Sequence, residues 1–168
     1  MMIVLRFAHI CSGVLWVGMM AFATFFLMPA IAEVGPDGAK VMAAMQRRRL
    51  PVIMPVMAFI TLVSGFWLFA RISDGEYLLL MMTPMGLTYA VGGGSAVLAL
   101  LIGIVAGRQA MMRGATLTES LATAAPEQRA GLMGELQRLQ RRGTVVNWIV
   151  MGLLLFTLAL MAVARYFP

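Results

Sequence analysis

Four stretches, each about the 20 residues that a helix needs to cross the hydrocarbon core of a bilayer, contain no Asp, Glu, Lys or Arg: Phe7 to Met28, Leu50 to Ala70, Met85 to Ala106 and Thr144 to Ala164. Nothing else in the sequence constrains the fold as strongly. In lipid, a backbone must satisfy its own polar groups, and a single segment does so as a helix. The two-residue alternation of a barrel strand is absent. A soluble alternative fails on composition, because 61% of the 168 residues are hydrophobic and 12% charged, against about 45–50% and 25% in soluble domains. The expected fold is all-α, an integral membrane four-helix bundle forming one transmembrane domain over residues 1–168.

Ala30-Ile31-Ala32 has the small-x-small form of a signal-peptide cleavage site. The apolar run before it exceeds the 7–15 residues of a signal core, roughly, and only Arg6 precedes it as a positive side chain. The segment is therefore expected to be a true span. One cysteine, Cys11, excludes an intrachain disulfide.

The net charge of +6 is distributed unevenly. Of the 13 Lys and Arg residues, all but Arg6, Arg71 and Arg165 lie between the first two spans (Lys40, Arg47, Arg48, Arg49) or between the last two (Arg108, Arg113, Arg129, Arg138, Arg141, Arg142). By the positive-inside rule both of these connections are cytoplasmic and both termini outside. The basic clusters then meet anionic headgroups. No nucleic-acid partner is expected, since Arg47-Arg48-Arg49 lacks interleaved aromatics on which bases would stack.

Gly35-Pro36-Asp37-Gly38 reads as a turn closing the first helix region, with a short amphipathic stretch leading to Arg49. Pro51 suits the first turn of span two, whereas Pro55 removes an internal hydrogen bond and is expected to kink the helix. Asp74-Gly75-Glu76 marks a short external connection, and Thr83-Pro84 a cap with proline at the first helical position. The cytoplasmic loop 107–143 is too long for a turn. Thr116-Leu117-Thr118-Glu119 has capping-box spacing, and Leu132, Leu136 and Leu139 recur among Arg129, Glu135, Arg138, Arg141 and Arg142 as one apolar stripe. This predicts an amphipathic helix that lies on the membrane surface, extends span four or docks a partner.

Span three carries Gly92, Ala96, Ala99, Gly103 and Gly107 along one face, Gly103 and Gly107 forming a G-x-x-x-G pair. Helices in lipid associate through such close contacts. The face suits a helix of this chain, a homo-oligomer or a larger membrane complex equally. Gly92-Gly93-Gly94 lacks the Gly-Lys-Ser/Thr ending of a phosphate loop and is read as packing or bending sequence.

His9 is the one histidine, and ionisable residues within a span are uncommon and often functional. His9, Gly13, Trp16 and Met20 share a face at helical spacing, which places the imidazole above a glycine-sized gap that a flat cofactor or another helix would fill. Imidazole ligates haem iron, copper or zinc. The methionines on the same side are Met81, Met82 and Met85, at the entry to span three, and Met161, whereas Met54 and Met57 belong about a membrane thickness away. With 17 methionines in the chain, packing is the ordinary role for each. A structural hydrogen bond is the ordinary role for His9, as for Ser64 and Asn147. No nucleophile motif or intramembrane carboxylate supports hydrolysis. Asp74 and Glu76 read as a solvated turn, and no charged path crosses the membrane.

Leu5-Arg6-Phe7-Ala8-His9, followed by Gly13-Val14-Leu15-Trp16-Val17-Gly18, resembles bacterial membrane families in which a histidine opens the first span and a W-x-G pattern follows. These are the copper-resistance D-type proteins, the haem-binding HemJ-type protoporphyrinogen oxidases and the membrane domain of cytochrome-linked urate oxidases. Arg48-Arg49-Leu50-Pro51 and Thr61-Leu62-Val63-Ser64-Gly65 continue the resemblance over roughly residues 5–70. It implies a bacterial cytoplasmic (inner) membrane protein with His9 as a haem or metal ligand. HemJ-type proteins also use an intramembrane lysine, and the lysine here, Lys40, lies in a loop. Three readings are open on these residues: haem b held by His9 in a pocket with Gly13, Trp16 and Met20; copper held by His9 with Met81, Met82, Met85 and Met161; or a noncatalytic subunit that binds no cofactor. Whether the chain is an enzyme is left open.

Overall fold

A computed structural model describes residues 1–167, and the side chains of all of these except Pro36, Ala39, Met111, Ala115, Thr118 and Ala122. Four helices are long and apolar enough to cross a membrane, and no strand occurs among the described residues. The first is a continuous rod over Met2–Glu33, comprising α1 (Met2–Phe22), a π-helical turn (Ala23–Leu27) and α2 (Met28–Glu33). The π turn has a covalent cause just beyond it. Pro29 has no N–H, and its ring would clash with the carbonyl four residues earlier, so the chain widens ahead of it. The Met28 N–H reaches back five residues to the Ala23 carbonyl.

Gly35 (φ +62°) turns the chain into α3 (Gly38–Arg47), and Arg49, in the left-handed region at φ 58°, turns it again into α4 (Leu50–Ser73). Pro51 sits in the first turn of α4 as expected, and the helix runs on through Pro55. The Pro51 carbonyl thereby lacks its ladder donor. Asp74 and Gly75, both at positive φ, lead to the one-turn helix α5 (Tyr77–Met81), so the connection between the second and third spans is partly helical. Thr83 caps α6 (Pro84–Thr123), its Oγ1 accepting from the Gly86 N–H at 3.1 Å. The final long helix is α7 (Pro126–Val163), and a 3₁₀ turn follows it.

Residues 107–143 are the main departure from the sequence reading. They form no loop containing a separate helix, because α6 runs unbroken to Thr123 and α7 starts at Pro126. The amphipathic stretch with Leu132, Leu136 and Leu139 is the first part of α7, an extension of span four. Thr116 opens no helix; its hydroxyl donates to the Met112 carbonyl, one turn back. Thr118 of the same motif lies outside the described side chains. The single break falls where the residue before a proline is driven out of helical geometry, with Ala124 and Ala125 at ψ 141° and 153°.

α1 packs most extensively on α4 and α6 on α7, while α4–α6 and α1–α7 contacts close the ring. At its centre, Trp16 and Met20 of α1, Ala58 of α4, Ala96 and Ala99 of α6, and Val150, Met151 and Leu154 of α7 are all buried. The small residues of α6 thus serve this chain's own bundle at Gly92, Ala96 and Ala99. Gly103 and Gly107 do not, as both are exposed, with open space where a side chain would project. Outside this core the apolar surface faces outward. Only 17–22% of each apolar window is buried within the chain, and Phe7, Phe59 and Phe66 are all more than 60% exposed. That inversion is compatible with an integral membrane protein, whose outer apolar face meets lipid tails.

Candidate functional site

The α1–α4 seam carries a run of polar side chains on an otherwise apolar interface. From α1 come His9 and Ser12, and from α4 come Thr61 and Ser64; both serines and Thr61 are buried. Helical spacing brings 9, 12, 13 and 16 to one face of α1, and 57, 61, 64 and 65 to one face of α4. The seam closes tightly where glycine removes side-chain bulk. A Cβ on Gly65 would sit 2.7 Å from Cε1 of His9 and 3.0 Å from its Nδ1, so only glycine there admits the ring in this pose.

His9 Nδ1 lies 2.8 Å from the Thr61 carbonyl oxygen. A carbonyl accepts only, so Nδ1 carries a proton, and in the neutral imidazole the second ring nitrogen, Nε2, keeps its lone pair. The neighbouring hydroxyl agrees with this assignment. Ser64 Oγ lies 3.5 Å from Nδ1, and its own proton is given to the Ile60 carbonyl at 2.6 Å, which leaves it an acceptor towards the imidazole. Below His9, the Ser12 hydroxyl donates to the Ala8 carbonyl at 2.6 Å and lies 2.8 Å from Thr61 Oγ1, which also faces the Met57 carbonyl at 2.8 Å. His9 is half-buried, and its Nε2 makes no hydrogen bond among the described residues. Nor is Nε2 sealed in the interior: among the described residues the fully enclosed side-chain polar atom without a partner is Thr24 Oγ1.

Gly13, Trp16 and Met20 continue the same face of α1 inward. The gap over Gly13 is filled by another helix, Thr61 Cγ2 lying at van der Waals distance from where a Gly13 Cβ would be. Trp16 and Met20 are buried in the four-helix core. Met161 packs against Gly92 in the α6–α7 seam, Met82 is 82% exposed and Met81 40% exposed. Met85, in the first turn of α6, is half-buried. The up-and-down topology places these methionines at the same end of the bundle as His9, but the hydrogen-bond partners of the imidazole are Thr61 and Ser64, with no sulfur among them. Cys11 is exposed. No group of three or more His, Cys, Asp or Glu able to hold a metal occurs among the described residues.

Sequence reasoning missed Ser12 and Thr61, although their i, i+3 and i, i+4 offsets from His9 and Gly65 were available as a signal. It selected Asn147 as an interhelical hydrogen-bonding group, yet Asn147 is half-buried and makes no hydrogen bond among the described residues. Thr24, in the π turn, is 3% exposed with its hydroxyl unpartnered among the described residues. Other hydroxyls in the spans, Ser12, Thr61, Ser64, Ser95 and Thr157, bond back to the carbonyl four residues earlier. No family model, characterised protein or solved structure matches the chain.

Proposed function

We propose that this is a bacterial inner-membrane protein that binds haem b, with Nε2 of His9 as an axial ligand to the iron. The observation that carries the reading is the Nδ1–H bond to the Thr61 carbonyl. Ligating histidines characteristically donate their other ring N–H to a carbonyl or carboxylate, which fixes the tautomer and raises the basicity of the coordinating nitrogen. His9 has that arrangement, with Nε2 open and Gly65 shaped to hold the ring. The resemblance of residues 5–70 to haem-binding and copper-handling families supports the same role.

The donor set fits one axial position. Haem would supply one-electron chemistry at iron; this chain's part is to orient one imidazole and hold its proton at Nδ1. Because Thr61 fills the gap over Gly13, the reading rests on His9 rather than on a slot formed with Gly13, Trp16 and Met20. Copper is the alternative occupant, drawing a thioether from Met81, Met82, Met85 or Met161. Proteins purified in mild detergent from haem-replete cells are the test, read by reduced-minus-oxidised absorption and metal analysis. A Soret band that disappears in His9→Ala is the expected result. Stoichiometric copper without that band replaces haem by copper. Absence of both, in a folded protein with a reproducible co-purifying partner, leaves His9 as a helix-tying residue in a noncatalytic subunit.

A further inference from the structure

At the end of the bundle opposite His9, arginines from three segments share one narrow layer. The register of α1 on α4, His9 against Gly65 and Gly13 against Thr61, brings Arg49 and Leu50 alongside the π turn. The Phe25 ring meets Trp148 edge-on at 5.2 Å, which puts the same level near Trp148 on α7. Gly92 packs against Thr157, Leu160 and Met161, and following α6 and α7 down from there by about 24 Å each, at 1.5 Å per residue, brings Arg108 opposite Arg141 and Arg142. Arg47, Arg48, Arg49, Arg108, Arg141 and Arg142 therefore fall within about two helical turns of one another along the bundle axis.

All six are exposed. None is in an ion pair: the salt bridge among the described residues joins Lys40 to Asp37. None donates a side-chain hydrogen bond among the described residues, unlike Arg129, whose Nε caps the Ala124 carbonyl at 3.1 Å. Of the nearest acids along the chain, Asp37 is taken by Lys40, and Glu119 and Glu135 form no ion pair with any of the six among the described residues. At the apolar edge of the layer, level with Arg49, stand Phe25 and Trp148, 42% and 51% exposed, in the position of an interfacial aromatic belt.

We infer that this layer is a binding site for anionic phospholipid, its guanidiniums holding headgroup phosphates from outside the bundle. An arginine fork matches two phosphate oxygens at once, and a bilayer presents phosphates at the depth where an aromatic belt gives way to cations. Nucleic acid fits less well, because the aromatics beside the arginines lie on the apolar side of the layer, where lipid covers them. The inference is independent of any cofactor at His9.

The test uses the full chain in a neutral detergent, with native mass spectrometry scoring bound phosphatidylglycerol against phosphatidylcholine. Wild type is expected to retain phosphatidylglycerol preferentially, and the preference to weaken as salt rises. At about fivefold per basic residue near a membrane surface, the triple variants R47Q/R48Q/R49Q and R108Q/R141Q/R142Q should each lose at least about tenfold in that preference. R6Q/R71Q/R165Q, at the other end, should retain it. Equal retention of the two lipids by wild type overturns the proposal, as does displacement of the lipid by millimolar inorganic phosphate or by a single-stranded oligonucleotide. If a triple variant does not fold, the lipid preference and salt dependence of wild type alone decide the matter.

Discussion

Thr24 is where replacing a polar residue by an apolar one should make the protein more stable. Its hydroxyl is enclosed within the bundle with no partner among the described residues, and the π turn that holds it is imposed by Pro29, so the local backbone has little freedom to supply one. A buried hydroxyl left unsatisfied costs about 1–3 kcal/mol. Thr24→Val keeps the branched shape and removes that cost. The expected change is a stabilisation of about 1–2 kcal/mol, allowing for some loss of fit around the new methyl. Thr61→Val is the matched control: it removes a hydroxyl placed 2.8 Å from both Ser12 Oγ and the Met57 carbonyl and should destabilise by about 0.5–2 kcal/mol. Both are measured by titrating the protein in mixed micelles with a denaturing detergent and following helicity by circular dichroism. Opposite signs for one chemical change at two sites are the outcome to look for. Destabilisation by Thr24→Val of 1 kcal/mol or more, roughly the worth of a satisfied hydrogen bond, would refute the reasoning, since it would mean that the hydroxyl has a partner in the membrane.

Gly65→Ala should cost about 1–3 kcal/mol and abolish the proposed cofactor binding through His9, because its Cβ would fall 2.7 Å from Cε1 of His9; Gly94→Ala, where nothing lies within 4 Å, should be neutral or stabilising by up to about 1 kcal/mol. Unfolding titrations and absorption spectra check the pair. Met151→Ala, at a side chain 1% exposed where four helices meet, should destabilise by about 2–5 kcal/mol. In a Cys11→Ser background, single cysteines at the exposed positions Glu76 and Gln128 should react with an impermeant maleimide from opposite sides of sealed vesicles. Labelling from one side would overturn the up-and-down topology.

The spans were legible because charge exclusion over about 20 residues is a property of the sequence itself. Their ends were less so. Nothing between Gly107 and Thr123 forbids a helix, yet polar residues there read as a loop, since hydropathy reports where lipid ends and not where helix ends. Pro126 was visible, but its effect depends on the residues before it adopting extended geometry. The π turn rests on Pro29, a residue inside an apolar run whose consequence falls one turn earlier. At the candidate site, the face shared by His9, Gly13, Trp16 and Met20 was readable from spacing alone. Its partner was not, because helix pairing in lipid is decided by small residues and hydroxyls such as Gly65 and Thr61, which hydropathy barely weighs.

The proposed iron ligation by His9 turns on which of its nitrogens carries the proton, and a chain with one histidine makes that measurable without assignment. Protein labelled with ¹⁵N-histidine, in detergent or bilayers at neutral pH, should give one imidazole, protonated at Nδ1, with an unprotonated Nε2 resonance that shifts or broadens when haem is added. An imidazole protonated at Nε2, or an Nε2 signal that haem leaves untouched, would contradict the assignment of His9 as the iron ligand.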